Sequence, residues 1–206
     1  MSSDVLKQLL VNLVQSPLHH ARWLNTLSYL ENSGARAIAA CEHPTLVKKE
    51  MLKHAAEEFR HAHYLKQQIE RVTPIPLVDY TLPNLLGGLA SLHYLKSLNV
   101  QTCRYLIQDR KVPPDDVSPT AYLLVTYAIE CRAEELYTCY ETILRATDSK
   151  VMVKSIFLEE LEHLEEMRAG IRHMPDGEVQ AEKVCTIETR LWESWLQRLS
   201  MEWLSS

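Results

Sequence analysis

Two Glu-x-x-His tetrapeptides stand in the chain, Glu58/His61 and Glu160/His163. A lone glutamate precedes each, Glu31 before the first and Glu130 before the second. On a helix, residues three apart lie about 60° apart on one face, so each tetrapeptide aims a carboxylate and an imidazole at one point. The order Glu, Glu-x-x-His, Glu, Glu-x-x-His is the donor set of a dinuclear metal site held between four helices. Four carboxylates and two imidazoles suit iron or manganese better than a thiolate-rich zinc site. Bridging carboxylates would hold the two ions about 3.5–4 Å apart and leave positions open to dioxygen or peroxide. With nine histidines in 206 residues, about one Glu-x-x-His is expected from composition alone. Two that share this arrangement are a stronger signal.

The elements that must position these residues are helical. A short amphipathic helix is expected over 3–15, with Val5, Leu9, Leu10 and Leu13 on one side and Pro17 as its stop. The apolar stripe Leu24, Leu27, Glu31, Ala35, Ile38 predicts a helix over 18–41. Pro44-Thr45 opens the next, over 45–72, with Val47, Met51, His54, Glu58, His61, Leu65 and Ile69 inward. A long connection follows over 73–118, carrying its own helix over 89–109. Ser118-Pro119 starts a helix with Leu123, Tyr127, Glu130, Glu134, Tyr137, Glu141 and Leu144 on one side. Another is expected over 149–173, with Val153, Ile156, Glu160, His163, Met167 and Ile171 inward, and a tryptophan-rich helix over 179–204 ends the chain. Two hairpins joined by a long crossover would bring the inward faces together. The expectation is therefore an all-α single domain over 1–206, a four-helix core over 18–173 with extra N- and C-terminal helices.

All six candidate ligands, Glu31, Glu58, His61, Glu130, Glu160 and His163, fall on these apolar stripes. A buried carboxylate without a partner costs several kcal/mol or takes up a proton. Four of them on four helices make sense with two divalent cations between them. His54 lies one turn before Glu58 and Glu134 one turn after Glu130, which makes both candidates for supporting the ligands or joining them; the alternatives are a core or half-exposed histidine and an exposed helix glutamate. Tyr127 and Tyr137 flank Glu130, where a phenol would hydrogen-bond a ligand or donate an electron; ordinary packing is the alternative. Glu159, Glu162, Glu165 and Glu166 read as a solvated face, and His19, His20 and His63 as surface residues.

Composition narrows the classes. A net charge of −5 without a basic stripe argues against nucleic acid. Five scattered cysteines without Cys-x-x-Cys encode neither a zinc ribbon nor a rubredoxin-type iron site, and reduced thiols in a cytoplasmic protein are the simplest expectation. Met-Ser-Ser-Asp lacks a basic n-region and a cleavage site, so no signal peptide is expected from it, and no apolar run reaches the ~18 residues of a membrane span.

Over 18–173, on Glu31, Glu58-Phe-Arg-His61, Glu130 and Glu160-Leu-Glu-His163, the chain resembles the ferritin-like di-iron carboxylate superfamily, which includes bacterioferritin, rubrerythrin and the di-iron oxygenases. The resemblance implies a ferritin-like four-helix bundle and a centre of two iron ions, or iron with manganese, that reacts with dioxygen or peroxide. The rubredoxin-like four-cysteine module usual in rubrerythrins is not encoded. An oxidase or hydroxylase of a small organic substrate, served by an electron-donor protein, is the first expectation. Peroxide or iron handling is the second, and a helical interaction protein with a structural metal is the third. The tryptophan helix either caps the bundle or forms a homodimer surface.

Overall fold

Residues 2–43 and 45–204 are described by a computed structural model. Pro44, expected at a helix start, lies outside them. Among the described residues the chain is all-α: α1 (Ser2–Gln15), α2 (Pro17–Ala40), α3 (Lys49–Ile69), a 3-10 turn (Leu82–Asn84), α4 (Leu89–Gln108), α5 (Pro114–Ala146), α6 (Lys154–His173) and α7 (Gly177–Leu204). No helix of the described residues is long and apolar enough to cross a membrane.

The helix starts follow local chemistry more closely than the stripes alone suggest. α5 begins at Pro114, four residues before the expected Ser118, with Pro114 at its first position and Asp115 and Asp116 in its first turn. Proline loses nothing there and the two carboxylates oppose the positive helix end. Pro119 is consequently inside α5, early enough to remove a single ladder bond. α3 begins at Lys49 rather than Thr45, because Leu46 and Val47 stand in the loop, 65% and 72% exposed. α6 begins at Lys154 rather than 149. Val151 and Val153 are buried ahead of it, and the Met152 N–H donates to Gln68 Oε1 at 3.1 Å. In α1 the buried residues are Leu6, Leu9, Leu10 and Leu13, whereas Val5, expected on the inner side, is exposed.

α2 packs along α3, and α5 along α6, as two hairpins. The 70–113 connection sends α4 across α5 and α7, while α1 covers parts of α2 and α5. α7 lies against the chain's own core. Its Trp192 and Trp195 are 1% exposed, and Trp195 stacks between Trp23 and Tyr94 at centroid distances of 5.9 and 5.6 Å. Each buried indole removes 150–250 Å² from water, about 4–6 kcal/mol of transfer free energy. The same packing encloses His20, which was expected on the surface. It is 2% exposed, and its Nε2 shares a 2.6 Å hydrogen bond with the Tyr140 hydroxyl. His63 is exposed and His19 half-buried.

Between the hairpins the packing changes character. α3 meets α6 through long polar side chains, Arg60 on Glu159 and Lys53 on Glu166, and a buried polar cluster fills the space behind them.

Candidate metal centre

Each of the four hairpin helices contributes to this cluster. α2 supplies Glu31, α3 supplies His54, Glu58 and His61, α5 supplies Glu130, and α6 supplies Glu160 and His163. Glu58, His61, Glu130, Glu160, His163 and His54 are between 1% and 6% exposed, and Glu31 is half-buried. Their donor atoms fall into two groups, each within 4.8 Å: His54, Glu58, Glu130 and His163 in one, and Glu31, Glu58, His61 and Glu160 in the other. The six sequence-predicted ligands are therefore brought together, and Glu58 belongs to both groups. His54 joins them as well, its Nε2 3.3 Å from both Glu58 Oε1 and Glu130 Oε1.

Every imidazole has one nitrogen turned inward and one held from outside. His61 donates from Nε2 to Glu159 Oε2 at 2.8 Å, and His163 donates from Nε2 to Glu57 Oε2 at 2.9 Å. His54 Nδ1 shares a 3.2 Å hydrogen bond with the Tyr122 hydroxyl. A carboxylate that takes the outer N–H leaves the inner nitrogen as a bare lone pair, the tautomer a metal needs. Inward, His61 Nδ1 sits 3.0 Å from Glu160 Oε1, and His163 Nδ1 sits 3.4 Å from Glu160 Oε2 and 3.5 Å from Glu58 Oε1.

These inner atoms have no proper hydrogen-bond geometry. Among the described residues His54 Nε2, His61 Nδ1, His163 Nδ1, Glu58 Oε1, Glu130 Oε2 and Glu160 Oε1 are all buried without a hydrogen-bond partner. Buried polar atoms are normally satisfied, and a set of orphans aimed at one space calls for a cation there. The residues therefore fit a pair of metal ions.

Without cations, protons balance the cluster. Burial, and then the neighbouring carboxylates Glu58 and Glu160, hold Glu31 well above the usual carboxyl range. Burial and Glu160 do the same to Glu130. Burial would raise Glu160 as well, but the imidazoles of His163 and His61, 3.4 and 3.0 Å away, prevail and its carboxyl titrates low. Burial would lower His163, and the neighbouring Glu160 carboxylate together with the bond to Glu57 outweighs that, holding it up at about 9. His61 is raised by the same opposition, with Glu160 as the winning partner.

The stripe pattern of the sequence does not mark Glu57, and it sets Glu159 on a solvated face. Its outer side does meet solvent, where Arg60 grips it through bonds of 3.0 and 2.6 Å. The Oε2 that accepts from Arg60 also accepts from His61. Both motifs read Glu-Glu-x-x-His, and the repeated first glutamate is the signal that marks the pair. In each, the first glutamate holds the histidine of the other hairpin.

The remaining candidates divide. Tyr137, 1% exposed, donates its hydroxyl to Glu31 Oε1. Tyr127 packs instead against the apolar cluster of Ala128, Val184 and Ile187. Glu134 opens on a surface depression beside Lys7 and Thr138. Neither is among the residues gathered in the cluster.

A cavity of about 380 Å³ opens on the cluster between α2, α4 and α5. Glu31, His54, Glu58 and Glu130 form its floor, and Leu30, Leu92, Leu95 and Ile129 are among its walls. Among the described residues the five cysteines are unpaired and half-buried, and Cys41 lies at the cavity edge.

No protein-family model, characterised protein or solved structure matches the chain.

Proposed function

We propose that the protein is an oxygen-reactive dinuclear metalloenzyme of the ferritin-like di-iron carboxylate type, an oxidase or hydroxylase of a small organic substrate. In this reading α2, α3, α5 and α6 are the four helices of a ferritin-like bundle, and residues 70–113 are its long crossover. Glu31, Glu58, His61, Glu130, Glu160 and His163 would hold two iron ions, or iron and manganese, with His54 beside Glu130 and His163. Carboxylate and imidazole donors suit these metals. Bound there, such ions supply the electrons that reduce dioxygen or peroxide while a substrate is oxidised.

The chain's own residues prepare that chemistry. Glu57, Glu159 and Tyr122 fix the orientation of the three imidazoles. Tyr137 holds the Glu31 carboxylate at the cavity floor. Leu30, Leu92, Leu95 and Ile129 keep the approach apolar.

One observation favours an organic substrate over iron storage: the cavity reaching the cluster is apolar-walled and of a size that takes a small organic molecule. An ion path would need polar lining. The test is anaerobic loading with iron(II), followed by oxygen uptake with and without candidate organic substrates. Two ions per chain and substrate-accelerated uptake are expected. Rapid peroxide turnover indifferent to organic molecules would replace this reading with peroxide handling. A chain that takes up no metal would end both.

A further inference from the structure

The charge of the cavity is one-sided once the cluster is set apart. Its lining includes the glutamates Glu31, Glu58, Glu130 and Glu160, which two divalent ions would offset. Beyond them, among the described residues, the charged lining groups are Lys96 and Arg132, with no further carboxylate. Arg132 is already engaged. It makes bonds of 2.9 and 2.8 Å to Glu188, pairs with Glu135, and lies 4.7 Å over the Trp192 ring. Lys96 is exposed at the rim, on α4, and among the described residues has no hydrogen bond or ion pair. Asn99 follows it three residues along the same helix face. The Asn99 carbonyl oxygen accepts from the Cys103 thiol at 3.9 Å, and its NH₂ is a second donor among the lining groups.

Below this rim the walls are Leu30, Ile38, Leu92, Leu95, Ile129 and Leu136. A sugar or other polyol would strand hydroxyls against them. At the deep end Gly34 faces the cluster, where an added Cβ would stand 3.8 Å from Glu58 Oε2. The absence of a side chain there leaves room next to the ligands.

We infer that the cavity takes an elongated organic acid, with its apolar body between α2, α4 and α5 and its carboxylate on Lys96 and Asn99. The far end of the chain, rather than the acid group, then lies at the metal cluster. The inference rests on the reading of that cluster as the oxidising centre. Lys96 and Asn99 set the class of substrate and take no part in the reaction.

The experiment measures binding rather than turnover. Decanoate, decan-1-ol and decylamine are titrated calorimetrically into the full-length chain, metal-free and zinc-loaded, and zinc content is measured on the same samples. Decanoate should bind about fivefold tighter than the alcohol, the scale of a rim charge pair, and the amine weakest. Lys96→Ala should bring acid and alcohol within about twofold of each other, leaving the alcohol unchanged. Gly34→Leu should weaken all three, and Leu95→Trp does the same from the opposite wall should the first variant fail to fold. Equal affinity for acid and alcohol, preference for the amine, or binding that survives both wall variants overturns the inference. Zinc bound with no decanoate bound defeats this inference alone. Decanoate bound with the expected variant effects but no zinc defeats the metal reading and leaves the pocket assignment standing.

Discussion

Replacing Glu58 should remove both metal ions, whereas replacing Glu31 should remove one. Glu58 is the side chain common to both donor groups, while Glu31 belongs to one of them. An ion present at a hundred times its dissociation constant stabilises the folded chain by about 2.7 kcal/mol, so two independent sites give about 5.4. For a chain of this length each kcal/mol moves the melting midpoint by about 2–4 °C. Loading the native protein should therefore raise its midpoint by about 11–22 °C, and Glu31→Ala by about half that. Glu58→Ala should show almost no rise. Its metal-free midpoint should equal or exceed that of the native chain, because one of four crowded carboxylates is gone. Thermal unfolding followed by circular dichroism, with elemental analysis of desalted samples, reads both quantities. Two ions retained by Glu58→Ala, with the native rise, would refute the assignment of a shared carboxylate.

Further outcomes follow from the cluster's supports. His54→Ala should leave one ion per chain, measured by the same elemental analysis, because the donors around Glu31 and His61 are intact. Glu57→Gln and Glu159→Gln should each weaken metal binding about 10–100-fold in competition with a chelator, as loss of a group orienting a ligand does; an unchanged affinity in either would show that its bond to histidine is incidental. Metal affinity should rise with pH, because ions displace protons held by Glu31, Glu130 and His163, the last up to about 9. Calorimetry in buffers of different ionisation enthalpy should show proton release on binding. Burial lowers His20 from 6.5 to about 4, so the unfolded chain takes up this proton first as pH falls. Stability from this group is complete above pH 6.5 and falls through the window down to about 4, by about 3 kcal/mol in all. His20→Gln should flatten that part of the denaturant-stability profile, and an unaltered slope would contradict it.

The inner faces of the helices were legible because burial and chemistry share one period. Met51, His54, Glu58, His61, Leu65 and Ile69 lie on one stripe of α3 and are all buried. Helix starts were less legible. Val151 and Val153 fit a helical stripe but are buried as an extended lead-in, and that outcome depends on Gln68 from another helix. The outer carboxylates are hidden in the sequence for a related reason. Glu159 stands about 100° from Glu160 around α6, among other glutamates, and only docking against α3 turns one of its oxygens inward. His20 reads as a surface residue in the sequence because the partner that encloses it, Tyr140 of α5, is brought by the tertiary fold. The cavity too depends on where α4 lies, which no periodicity within α4 specifies.

The crossed pairing of the doubled glutamates has a consequence for assembly. A hairpin alone holds half of each arrangement: Glu57 waits for a histidine that α6 brings, and Glu159 for one that α3 brings. Sliding α6 by one residue would turn its side chains by about 100° and set Glu159 in place of Glu160, breaking both outer bonds together. The two adjacent acids thus work as a key with teeth on two sides, engaged in one alignment of the hairpins. Correct docking and a competent centre become a single event, and a misaligned chain would reveal itself by its inability to take up metal.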